Sequence, residues 1–79
     1  MLVTVLLFSS YAEALGTNAL RLEVPSGVSA GELVSRVRAL AQGRALPPAL
    51  VAINQEYAAP DLLISAEDEI ALIPPVAGG

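Results

Sequence analysis

Residues 69–79 read EIALIPPVAGG, a short apolar strand pattern followed by two prolines and a terminal Gly-Gly pair. Pro74 and Pro75 end the strand because proline has no N–H group to donate to a sheet. The run after the strand has no side chain able to do chemistry, so any reactivity there belongs to the carboxylate of Gly79. Such a carboxylate, on a thin arm, can be threaded into another protein's active site and made to carry a group. The alternative is a frayed terminus that ends in glycine by chance.

Residues 2–8 have the same apolar character at the other end of the chain, LVTVLLF. Their length and branched side chains are typical of a strand, and we expect this strand to be buried on both faces. The aliphatic face is the better candidate for the core. Two such apolar strands are expected to be central, parallel neighbours in a sheet. The two faces of the first strand are Val3, Val5 and Leu7, and Thr4, Leu6 and Phe8.

A short helix and a second strand are predicted after the first strand. Ser10 and Glu13 have the spacing of a capping box, and Gly16 can supply a left-handed stop, so residues 10–15 are predicted to form a brief helical turn. Residues 20–24, LRLEV, alternate between apolar and polar. This alternation predicts a half-buried strand. Its inward residues are Leu20, Leu22 and Val24.

The main helix is predicted by two start signals that agree. Ser29 and Glu32 have a second capping-box spacing, and Val28 can pack on Leu33 as a hydrophobic staple. An apolar stripe then recurs at helical spacing until Gly43 and the prolines after it end the helix. The stripe consists of Leu33, Val37, Leu40 and Ala41.

The last third of the chain predicts a hairpin before the final strand. Residues 50–53 read as a strand, Asn54-Gln55 as the hairpin tip and residues 56–58 as a short return strand. Residues 62–64 are expected to tuck under the sheet.

This order of elements defines the fold class. One long helix across one face of a mixed sheet needs a right-handed crossover, and strand, strand, helix, strand, short strand, strand is the ubiquitin-like β-grasp arrangement of the α+β class. We assign residues 1–74 to the β-grasp domain and residues 75–79 to an extended, flexible tail.

The composition limits what the chain does by itself. It has no cysteine and no histidine, which removes thiol nucleophiles, Cys-ligated metals and the usual general base, so we expect neither a metal site nor self-contained catalysis. A net charge of −4 argues against nucleic acid. The chain is 54% hydrophobic, so an exposed apolar patch is expected, and such patches usually mark interfaces. No run approaches the roughly 18 apolar residues of a membrane span, and we expect a soluble, cytoplasmic protein.

Two segments carry a resemblance to a known family. They are residues 51–57, VAINQEY, and residues 68–79, DEIALIPPVAGG. Both resemble the small subunit of molybdopterin synthase, a ubiquitin-like sulfur carrier, and the opening strand and the turn at residues 13–16 also fit. A strand followed by Pro-Pro-x-x-Gly-Gly at the end of a short chain is a specific motif. The related thiazole-synthesis carriers share the fold and the Gly-Gly pair but usually lack Pro-Pro.

The resemblance implies a chemistry for Gly79. In the family, an ATP-dependent adenylyltransferase that resembles ubiquitin-activating enzymes converts the terminal glycine to a glycyl adenylate, and a sulfurtransferase then gives a thiocarboxylate. The tail next enters the large subunit of a heterotetrameric synthase and delivers sulfur to cyclic pyranopterin monophosphate, which forms molybdopterin. The isolated chain is therefore not expected to be an enzyme or to bind a permanent cofactor, and ATP is used by the activating enzyme.

The tail and one face of the sheet are the candidate functional parts. Glycine lacks a Cβ and passes a narrow channel, and Pro-Pro projects the arm. If Ile70 and Leu72 face the helix, the alternate positions form an apolar docking patch; the alternative is a second small core covered by residues 62–64. The threading residues are Pro74, Pro75, Val76, Ala77 and Gly78. The patch residues are Leu6, Phe8, Ala71 and Ile73.

Three other functions stay open. The sulfur could go to thiazole, to tRNA or to another biosynthetic acceptor. The chain could be a ubiquitin-like modifier joined to target lysines through Gly79, and it has no lysine for linking copies of itself. It could also be an interaction module with an idle tail.

Overall fold

The computed structural model of the chain describes residues 1–42 and 44–74. A mixed, five-stranded sheet in this part of the chain has the strand order β2-β1-β5-β3-β4. The strands are β1 (Leu2–Leu7), β2 (Ala19–Glu23), β3 (Leu50–Ile53), β4 (Glu56–Tyr57) and β5 (Ile70–Ile73), and the helices are α1 (Ser9–Leu15) and α2 (Ala30–Leu40). The predicted β-grasp class is confirmed. Gly43, a predicted helix stop, and the predicted tail 75–79 lie outside the described residues.

β1 and β5 are parallel neighbours at the centre of the sheet, as their apolar sequences predicted. Val5 pairs with Ile70, and Leu7 pairs with Leu72. All four side chains are at most 2% exposed. On the outer sides, β1 pairs antiparallel with β2 and β5 pairs antiparallel with β3. The first and last strands of the domain, β1 and β5, therefore form the centre of the sheet on which the core packs.

The start of α2 is the one that the sequence predicted. The Ser29 hydroxyl accepts a hydrogen bond from the Glu32 N–H at 3.2 Å, and the Glu32 carboxylate accepts one from the Ser29 N–H at 3.4 Å. This reciprocal pair is a capping box, which satisfies N–H groups that have no partner inside the helix. Val28 and Leu33, predicted as a staple, are both buried in the main core.

The buried stripe of α2 differs from the prediction at Leu40, which is exposed. Leu33, Val37 and Ala41 are buried as predicted. At about 100° per residue, the buried positions form an arc centred near Val37, and Leu40 lies on the flank of this arc in the last turn.

The prediction that β1 is buried on both faces is wrong. Val3 is buried with the rest of the odd-numbered face, but Thr4 and Phe8 are exposed and Leu6 is half-buried. The physical reason is that α2 packs on the odd-numbered face alone, so the alternate face of the same strand meets solvent.

The start of α1 also differs from the prediction. The helix begins at Ser9, its N-cap residue is Phe8, and no side chain caps it, so the predicted Ser10–Glu13 capping box is wrong. Tertiary contacts set this start, because Tyr11 is fully buried and its hydroxyl donates a 2.6 Å hydrogen bond to the Pro47 carbonyl. The predicted stop is confirmed: Gly16 has a φ of 70°.

Residues 62–64 lie beside the start of α2 and do not tuck under the sheet as a unit. The Leu62 carbonyl accepts a hydrogen bond from the Ala30 N–H at 2.9 Å, and the Ile64 N–H donates to the Val28 carbonyl at 2.9 Å. Only Ile64 of the three is buried. This path leaves the other face of the sheet uncovered by residues 62–64, so the alternative of a second core under this segment is wrong.

We expect Leu72→Ala to destabilise the domain by about 2–5 kcal/mol, because it leaves a cavity beneath the central strand pair. Leu63→Ala is the matched control, since Leu63 is 62% exposed and its loss should change the free energy of unfolding by only about 0.5 kcal/mol. Urea unfolding followed by circular dichroism measures both. Equal destabilisation by the two substitutions would contradict the assigned core.

Candidate functional site

A row of side chains crosses the open face of the sheet, opposite α2. Leu6 of β1 pairs with Ala71 of β5, Ala71 pairs with Ala52 of β3, and Ala52 pairs with Tyr57 of β4. Paired residues of neighbouring strands share a face of the sheet. Four strands therefore contribute to one continuous surface.

This surface is concave and encloses a volume of about 310 Å³. We call it the sheet hollow. It is lined by Leu6, Phe8, Ala52, Gln55, Tyr57, Glu69, Ala71 and Ile73. All four residues predicted for the docking patch are among the lining residues, so the structure brings them together; their role in docking stays a prediction.

The shape of the sheet hollow follows from the sizes of its side chains. Ala52 and Ala71 are small and lie on the neighbouring inner strands β3 and β5. Phe8 is 46% exposed, and Tyr57 on the edge strand β4 is 72% exposed. Aromatic side chains bury a large apolar area when they are covered. A floor of alanine between two aromatic residues is thus suited to receive an apolar side chain from another protein.

The hairpin side of the hollow was missed by the sequence prediction. Ala52, Gln55 and Tyr57 enter the hollow because β3 lies next to β5 and β4 lies next to β3. The apolar pattern alone does not give that strand order. The signal that could have found two of them is the predicted hairpin tip at Asn54-Gln55, because a two-residue tip pairs Ala52 with Tyr57 on one face of the sheet.

Hydrogen bonds fix the hairpin to the turn before β5. The Asn54 N–H donates to the Glu69 carbonyl at 2.8 Å, and the Glu69 N–H donates to the Asn54 side-chain oxygen at 3.0 Å. Asp68 accepts from the Asn54 amide at 3.0 Å and from the Ser65 N–H at 2.8 Å. Asp68 therefore has a structural role in this turn, while Glu69 is the charged residue that lines the hollow.

The base of the predicted arm lies at the rim of the hollow. β5 ends at Ile73, directly before Pro74, as the prolines predicted. Ile73 pairs with Leu50 and lines the hollow. The remaining predicted arm residues, Pro75, Val76, Ala77, Gly78 and Gly79, lie outside the described residues.

The described residues offer little for other kinds of site. In residues 1–42 and 44–74, no group of three or more acidic side chains is placed to hold a metal ion. No helix in the same residues is long and apolar enough to cross a membrane. The sheet hollow is the candidate site because all four residues predicted for the docking patch line it.

A mixed five-stranded sheet with one main helix packed on one face is the β-grasp fold, which defines the class of ubiquitin-like proteins. Within this class, the chain belongs to the ThiS family, whose model matches residues 5–79. The molybdopterin synthase sulfur carrier subunit of Arabidopsis thaliana is 35% identical over 98% of this chain and 82% of its own length. The subunit of the same name in Dictyostelium discoideum is 34% identical over 95% of this chain and 93% of its own length.

Solved structures give the same fold. SAMP1 from Haloferax volcanii is 27% identical with a TM-score of 0.79, and the match covers 100% of both chains. Subunit 1 or 2 in the complex of molybdopterin-converting factor from Helicobacter pylori matches at 21% identity, with a TM-score of 0.65 and full coverage of both chains. The latter likeness shows the fold alone.

We expect Phe8→Asp to weaken binding to the large-subunit partner that the resemblance implies by about tenfold or more, because it places a charge where apolar surfaces meet. The domain should keep most of its stability, since Phe8 is 46% exposed and a charge at this position can stay in contact with water. Titration calorimetry and thermal melting measure the two effects.

Leu62→Asp is the control for this substitution. Leu62 is 47% exposed, close to the 46% of Phe8, but it does not line the sheet hollow. Partner binding should survive Leu62→Asp. Unfolding of Phe8→Asp, with no separate loss of binding, would instead place Phe8 in the core.

Proposed function

We propose that this chain is the sulfur carrier subunit of a molybdopterin synthase, which gives sulfur from its C-terminal glycine to cyclic pyranopterin monophosphate. The observation that carries the proposal is the 35% identity to the Arabidopsis carrier subunit over 98% of the chain. The position of the sheet hollow, at the strand end that leads to the Gly-Gly arm, supports it.

The reacting group is the Gly79 carboxylate. The activating enzyme joins it to the α-phosphate of ATP, which releases pyrophosphate and leaves a glycyl adenylate. A hydrosulfide equivalent from a sulfurtransferase then attacks the acyl carbon, AMP leaves, and a thiocarboxylate remains. In the synthase, the carbon–sulfur bond is cleaved by water as sulfur passes to the pterin precursor, which restores the carboxylate.

The arm has the residue types for such delivery. Glycine at positions 78 and 79 leaves room in a narrow channel because it has no Cβ. Four residues beyond Pro75 reach roughly 13–14 Å at about 3.3–3.6 Å each. We propose that Pro74 and Pro75 direct the arm away from the sheet, so that Gly79 reaches an active site that the domain itself does not enter.

The sheet hollow is the proposed docking surface for both the activating enzyme and the large subunit. Its residues are mainly apolar, and Glu69 is the charged residue among them. A partner that places an apolar side chain between Phe8 and Tyr57 would cover this surface. Since ATP and the activating enzyme are intracellular, we propose that the cycle runs in the cytoplasm.

We expect the chain to gain about 16 Da when it is incubated with its activating enzyme, ATP and a sulfide source, because sulfur replaces one oxygen of the activated Gly79 carboxylate. Intact mass spectrometry measures the gain, and omission of ATP is the control. An unchanged mass in the complete mixture would count against every sulfur-carrier reading.

A ubiquitin-like modifier is the second candidate, and the similarity to SAMP1 favours it. A Haloferax volcanii structure that matches with 26% identity is named small archaeal modifier protein 1. A modifier would leave Gly78-Gly79 remnants on lysines of other proteins, whereas a dedicated carrier would not. Delivery of sulfur to thiazole or tRNA keeps the thiocarboxylate and changes only the acceptor.

We expect deletion of Gly79 to abolish molybdopterin formation in a reconstituted synthase while the domain stays folded, because the new terminus ends one residue short of the reaction centre. Production of molybdopterin, measured by fluorescence of its oxidised form, and thermal melting are the readouts. Full activity of the shortened chain would establish an interaction module with an idle tail.

A further inference from the structure

Gln55 has an unfavourable backbone conformation at the tip of the β3–β4 hairpin. Its φ is 71°, and that of Asn54 is 53°. In this left-handed region the Cβ atom of an ordinary residue is crowded, and glycine is the residue that fits without cost. Tight hairpin turns with positive φ at both central residues prefer Asn-Gly. Asn54 satisfies this preference, and Gln55 does not.

No hydrogen bond of the Gln55 side chain within the described residues offsets the free-energy cost of this backbone conformation. The side chain is exposed, and among residues 1–42 and 44–74 its carboxamide forms no hydrogen bond. The turn itself is held by Asn54, whose N–H and side chain are bonded to Glu69 and Asp68. Glycine at position 55 would therefore keep the turn and remove the backbone cost.

The position of Gln55 places its side chain on the proposed docking surface. It lines the sheet hollow together with Tyr57 and Glu69. Residues with strained backbones cluster at functional sites, where the surrounding structure holds them in place. Because the hairpin is tied to the turn before β5, the carboxamide is carried on a fixed backbone, and binding then costs less ordering.

We infer that Gln55 determines specificity at the sheet hollow by hydrogen-bonding a neutral group, such as a backbone amide, of the large synthase subunit that docks there. This inference rests on the proposed function. A carboxamide offers one acceptor and two donor hydrogens, which match the two polar groups of a peptide unit. The docking segment of the large subunit should therefore place an apolar side chain between Phe8 and Tyr57 and an exposed backbone amide beside Gln55.

Gln42 provides a matched control within the chain. It is the same residue type, it is exposed, and its φ is 52°. It follows the C-cap residue Ala41 at the end of α2, where left-handed conformations are common, and it does not line the sheet hollow. Glycine at position 42 relieves the same kind of backbone crowding without touching the proposed docking surface.

The test measures melting temperature and affinity for the cognate large subunit of molybdopterin synthase. We expect Gln55→Gly to raise the melting temperature and to weaken the affinity about three- to tenfold, the loss of one hydrogen bond. Gln55→Ala keeps the crowded backbone and removes the carboxamide, so it should weaken the affinity equally without raising the melting temperature. Gln42→Gly should keep the affinity of the natural chain.

The outcomes separate this inference from the proposed function. If the natural chain binds and Gln55→Gly and Gln55→Ala bind as tightly, the role of Gln55 is wrong while the proposed function stands. If Gln42→Gly weakens binding as much as Gln55→Gly, the effect comes from the domain as a whole and the role of Gln55 is again wrong. If the natural chain does not bind, the proposed function and the inference both fail.

Discussion

The parallel pairing of β1 with β5 fixes the core and the open surface together. Side chains alternate between the two faces of a strand, so burying Val5, Leu7, Ile70 and Leu72 against α2 forces Leu6 and Ala71 to the other face. A slip of one residue in either strand would exchange the two sets and expose the core. The composition of the open surface is therefore a consequence of the same register that holds the domain together.

Among the described residues, the segments that lead into β3 and β5 lie on the helix side of the sheet and leave the open face uncovered. The Tyr11 hydroxyl holds the Pro47 carbonyl, and the Arg38 side chain donates to the Leu46 carbonyl at 3.1 Å, so the segment before β3 is held by both helices. The segment before β5 is bonded to the start of α2 through Leu62. Residues 1–42 and 44–74 contain one helix long enough to cover a sheet face, so the apolar side chains on the second face form the proposed docking surface.

Structural features that depend on residues close together in the sequence were predictable, and features that depend on tertiary contacts were not. The Ser29 capping box depends on residues three apart and was correct, whereas the start of α1 was wrong because the buried Tyr11 sets it. The half of the hollow that lies on β1 and β5 was predictable because successive side chains of a strand point to opposite faces of the sheet. The hairpin half was not, since Gln55 and Tyr57 reach the hollow only through the order of β5, β3 and β4.

The division between sheet and arm has a consequence for a carrier. If Gly79 exchanges one oxygen for sulfur as proposed, the residues that line the sheet hollow are the same in the loaded and the empty chain, and contacts confined to the hollow would have the same free energy for both. A ligand shifts an equilibrium only by its difference in affinity for the two states. If one hollow serves both the activating enzyme and the large subunit, the two must bind in turn. The choice between loaded and empty chains must then be made where the partner contacts the terminal atoms, and the hollow supplies the affinity that is common to both encounters.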